Sequence, residues 1–109
     1  MSFFEEELDI TKKIKVIEKL KSSMLSQIAY LYSNMAEEDS NTDETYLDIL
    51  SDVLILTYLL SNKLGAANEA LDIKVINKLK VEMLNNNEWQ KEMSELQRHL
   101  LKSRNLHKG

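Results

Sequence analysis

The sequence predicts an all-α protein of four helices, and three observations carry that prediction. The chain has no proline and two glycines, Gly65 and Gly109, so it lacks the punctuation that strands and tight turns require. Leu, Lys, Glu, Ile, Met and Ala, most of them helix-favouring, make up much of it. Apolar residues also recur at steps of three, four and seven, the repeat of a helical stripe. With 109 residues, 43% hydrophobic and 29% charged, the chain reads as one globular domain over 1–109.

The first helix carries Ile10, Ile14, Ile17, Met24, Ile28, Leu31 and Met35 on one stripe, with Leu20 at its side. Asp9 or Thr11 is the expected N-cap, because either side chain can accept a backbone N–H. The helix is expected to reach about Met35 and end in the polar run Glu37 to Thr42. The second is predicted from Thr42–Asp43 to Leu64, with Gly65 as its left-handed cap. Between Tyr46 and Leu60, eleven of fifteen residues are apolar. A helix apolar nearly all round must be covered nearly all round, and three short neighbours do not suffice. A second copy is therefore expected to pack on the first two helices, giving a homodimer.

The third helix is predicted from a cap at Asn68, with Leu71, Val75, Ile76, Leu79 and Met83 inward. Asn85-Asn86-Asn87 breaks it, and Asn87 can cap a fourth helix carrying Trp89, Met93, Leu96 and Leu100. That helix is expected to fray from about Ser103.

Cysteine is absent, which removes disulfides, thiolate metal sites and a thiol nucleophile. The start of the chain is acidic and has no apolar signal core, and the most apolar run, Val53 to Leu60, is too short to cross a membrane. A soluble, cytoplasmic protein is expected. Fourteen basic and eighteen acidic residues give a net charge of −4, which argues against general nucleic-acid binding. The charge is uneven. Lys12, Lys13, Lys15, Lys19 and Lys21 crowd one stretch opposed by Glu18, and no Lys or Arg occurs from Ser22 to Asn62. Lys12, Lys15 and Lys19 share a helical face, and Leu64 to Asn68 has the look of a helix-turn-helix turn. The helix before it is too long and apolar for that module, however, so nucleic acid is the weaker alternative.

His99 and His107 are simplest as solvated surface residues. No glycine cluster can cradle a phosphate, and no Cys/His set can hold zinc. Asp48 and Asp52 remain. Four residues apart on one helix, they face the same way, where Mg²⁺ would find oxygen ligands. Their plainer role is as solvated charge near a helix N-terminus. Tyr30, Tyr32, Trp89 and the methionines are expected in core or interface packing.

The segment Ser51-Asp52-Val53-Leu54-Ile55-Leu56-Thr57-Tyr58-Leu59-Leu60-Ser61-Asn62-Lys63-Leu64-Gly65 resembles the Asp-Val-Leu…Leu-Gly segment of MazG-type nucleotide pyrophosphohydrolases. Leu8 to Lys21 resembles the opening of a smaller MazG-like family of bacterial proteins, and the likeness runs from about Leu8 to Leu100. It implies an all-α fold that forms dimers or tetramers. Active relatives bind Mg²⁺ and split nucleoside triphosphates into monophosphate and pyrophosphate. In them two successive helices supply Glu-x-x-Glu and Glu-x-x-Asp. Here the second motif falls on Ile49-Leu50-Ser51-Asp52, where only Asp52 matches, with Asp48 as a partial substitute. The first falls near Ser23-Met24-Leu25-Ser26, where both acids are serine. The resemblance also implies that Asn62 contacts a nucleotide.

Replacing three of four carboxylates removes about three negative charges from a site meant for dications. The expected protein is therefore a catalytically silent or weak MazG-like dimer with a binding or regulatory role. Mg²⁺-dependent pyrophosphohydrolase activity, resting on Asp48 and Asp52, is the first alternative.

Overall fold

The computed structural model describes residues 3–37, 43–85 and 88–108, with side chains described for 5–37, 44–85 and 88–103. Four helices follow one another: α1 (Phe3–Ala36), α2 (Asp43–Lys63), α3 (Asn68–Asn85) and α4 (Gln90–Lys108). No strand occurs among the described residues. The all-α, four-helix prediction holds.

Two helix starts differ from expectation. α1 begins at Phe3, several residues before Asp9 and Thr11. Glu5 and Glu6 occupy its first turn, where the helix dipole favours negative charge. Thr11 is therefore inside the helix, and its hydroxyl donates to the Glu7 carbonyl one turn back (2.8 Å). At α3, the Ala67 carbonyl accepts from the N–H groups of Ala70 (3.0 Å) and Leu71 (3.3 Å), which makes Asn68 the first helical residue and Ala67 its cap position.

The end of α2 is as the sequence foretold. Gly65 has φ +102°, and the Gly65 and Ala66 N–H groups donate to the carbonyls of Asn62 and Ser61, each at 3.0 Å. These two bonds make a Schellman motif that satisfies carbonyls the helix leaves open.

α4 begins after Trp89, whose carbonyl accepts from the Met93 N–H at 2.9 Å. The expected cap, Asn87, lies outside the described residues. Gln90 Nε2 donates to the Met83 carbonyl (2.7 Å), so the start of α4 satisfies one of the last carbonyls of α3. The helix continues past Ser103 to Lys108.

The chain divides into two compact units, one ending at Ala66 and one starting at Ala67. In the first, α1 packs on α2; in the second, α3 packs on α4. In α3, Leu71, Val75, Ile76, Leu79 and Met83 are all half-buried, as their spacing predicts. In α4, Met93 and Leu100 are half-buried while Leu96, and Trp89 just before the helix, are exposed.

Among the described residues one side chain is fully buried, Ile49 at 3% exposure. The cause is geometric. Within the first unit α1 covers one side of α2, and α2 is apolar on several. Ile10, Ile14, Leu25 and Tyr32 of α1 and Leu47, Leu50 and Leu54 of α2 remain 50–69% exposed. No single helix among the described residues is long and apolar enough to cross a membrane.

Candidate functional site

Asp48 and Asp52 come together as their spacing requires, one turn apart on α2. Both are exposed, and both line an open cleft of about 450 Å³ between α2 and α1. Its remaining walls are Thr45 and Ile49 of α2 and Gln27 and Tyr30 of α1. Ile49 is the fully buried one among these lining residues, so α2 contributes both the acids and a buried apolar side chain to the cleft.

Across the cleft from the acids, α1 offers an amide and a phenol. Ser23 and Ser26, where the first acidic motif would fall, are half-buried and exposed, and neither lines the cleft. The sequence reading missed Gln27 and expected Tyr30 in packing; Tyr30 is instead 55% exposed at the cleft wall. The signal was present. Ser23, Gln27, Tyr30 and Asn34 step by four, three and four, a polar stripe beside the apolar one. The Asn34 amide donates to the Tyr30 carbonyl (2.9 Å), tying the far end of that stripe to its own helix.

Asn62 is not part of this cleft. It lies ten residues beyond Asp52, about 15 Å along the helix, and its amide nitrogen donates to the Tyr58 carbonyl at 2.8 Å. It lines a second cleft, of about 330 Å³, with Lys12, Lys13 and Val16 of α1 and Lys63 of α2. One cleft pairs the end of α1 with the start of α2, and the other pairs the reverse ends. The two helices therefore run antiparallel.

The donor set of the first cleft decides what chemistry it permits. Two carboxylates on one helix face an amide and a phenol on the other, with a threonine hydroxyl beside them. A dication bound next to an anionic triphosphate needs several anionic oxygens, because each neutral ligand leaves charge uncompensated. Among the described residues no three His, Asp or Glu side chains gather closely enough to hold a metal ion. The residues lining this cleft do not fit the four-carboxylate Mg²⁺ site that the resemblance implies.

The opposite side of this helix pair is different in character. At about 100° of turn per residue, Leu50 and Leu54 project roughly opposite Asp52, and Leu25 opposite Gln27. Ile14 and Tyr32 fall on the same flank of α1 as Leu25. One side of the pair is thus cleft-bearing and polar, and the other carries these exposed apolar side chains, with the Glu18–Lys21 ion pair among them on α1.

Among curated proteins and among solved structures nothing matches the chain. The sequence profile of the MazG-like family matches residues 10–96, spanning parts of all four helices. On that match, the chain belongs to the MazG-like family.

Proposed function

We propose that this protein is a catalytically silent MazG-like homodimer that binds and regulates rather than hydrolyses. The single observation that supports this reading is the pairing across the first cleft: Gln27 and Tyr30 stand where anionic groups would have to complete a dication site with Asp48 and Asp52. In-line attack on a triphosphate relies on cations to neutralise the charge that develops on the phosphoryl oxygens. Two carboxylates on one helix supply too little charge to hold those cations. The apolar stripe of Ile14, Leu25, Tyr32, Leu47, Leu50 and Leu54 supports the dimer, because side chains of this size gain by burial against a matching surface.

The test is to incubate the purified protein with Mg²⁺ or Mn²⁺ and a panel of nucleoside triphosphates and to assay pyrophosphate. No release above a no-protein control is expected. Turnover that disappears in Asp52→Ala would establish a hydrolase in place of a silent binder.

A further inference from the structure

We propose that the second cleft, formed by Lys12, Lys13, Val16, Asn62 and Lys63, is a metal-independent binding site for the phosphate chain of an oligophosphate ligand. Three of its five lining residues carry ammonium groups, two from α1 and one from α2, and no carboxylate lines it. Among the described residues no carboxylate forms an ion pair with any of the three. Glu18 is taken by Lys21, whose Nζ donates at 3.0 Å. Asp9, one turn before Lys13, forms no ion pair with it. Lys15 and Lys19 lie on the same stretch of α1 and extend the positive field. Like charges held together in a cleft raise the local potential and draw in an anion, more strongly than the same charges spread over a convex surface.

Two other basic clefts among the described residues lack one of these features. That on α3 includes Glu82 among Lys74 and Lys78, and that on α4 is lined by a single helix. In the second cleft the cations come from both helices, so their spacing is set by packing rather than by one flexible surface. Lysine is suited to this task because its three donors act as a point charge toward phosphate oxygens. Val16 supplies the cleft with an apolar wall, and Asn62 adds a polar group at the α2 edge. The proposal extends the silent-binder reading by assigning a ligand class to a different cleft, and it replaces divalent cations with ammonium groups as the counter-charge.

The test is calorimetric titration of the full chain with inorganic tripolyphosphate in EDTA, at two salt concentrations. Saturable binding of one ligand per chain is expected, weakening as salt rises. Lys12→Glu/Lys63→Glu should lower the affinity by at least about tenfold, whereas Lys78→Glu/Lys80→Glu on α3 should change it by less than about twofold. Helical circular dichroism checks folding, and Lys12→Gln/Lys63→Gln serves if the charge reversal unfolds the chain. Absence of binding, binding that requires Mg²⁺, or equal loss in both double variants overturns the proposal. None of those results involves pyrophosphate release, so the silent-binder reading stands or falls separately.

Discussion

Asp52 and Asn62 share one helix yet line different clefts, Asp52 beside Gln27 and Tyr30 and Asn62 beside Lys12 and Lys13. The separation follows from α2 running antiparallel to α1, so each end of α2 meets a different chemistry. Toward its start it meets a neutral polar stripe; toward its end it meets the lysines.

If Gln27 is what keeps the first cleft short of charge, Gln27→Glu should improve it. The variant places a third carboxylate with Asp48 and Asp52. Mn²⁺ affinity, read by calorimetry, is expected to rise by about tenfold, or about 1.4 kcal/mol. An unchanged affinity would mean that residue 27 does not face the acids.

Leu50 and Leu54 test the apolar stripe. Both are at least half exposed in the single chain. Leu50→Asp or Leu54→Asp would bury a charge in the proposed contact between copies. The dimer is expected to weaken by at least about 2 kcal/mol, a factor of about 30, while helical content is retained. Sedimentation equilibrium over a range of concentrations measures this. A chain that is monomeric before substitution contradicts the dimer.

Ile49 should dominate the stability of the first unit. Its truncation in Ile49→Ala removes the one fully buried side chain among the described residues. Loss of about 2–5 kcal/mol is expected, near the low end because the loosely packed surroundings can close in. Urea denaturation at fixed protein concentration gives the value.

Gly65 carries a purely conformational prediction. At φ +102° an L side chain is strained, and a Cβ added there would meet nothing within 4 Å. Gly65→Ala should therefore cost about 1–2 kcal/mol through backbone strain alone. A second change that enlarges the surroundings should recover none of it, as thermal unfolding of both variants will show.

The helices were legible in the sequence because their evidence is local. Periodic apolar residues, a polar break after Ala36 and a glycine at position 65 act within a few residues of themselves. The two early misplacements have local causes too. Thr11 can bond a carbonyl inside a helix as readily as it can cap one, and the Gly65 turn leaves Ala67, not Asn68, at the capping position. The acids of the first cleft were legible for the same reason, since i and i+4 face one way on any helix.

The partners of those acids were not. Which residues of α1 face Asp52 depends on the stagger between two helices, and no residue encodes stagger alone. A shift of one turn would exchange Gln27 for Ser23. The sequence by itself determined the helices, the absence of acids from Lys19 to Ala36 and the excess of apolar surface on α2. Tertiary structure alone decided that Gln27 and Tyr30 face Asp48 and Asp52 and that Asn62 keeps company with lysines. Packing of two helices sets those neighbours, and it acts between residues far apart along the chain.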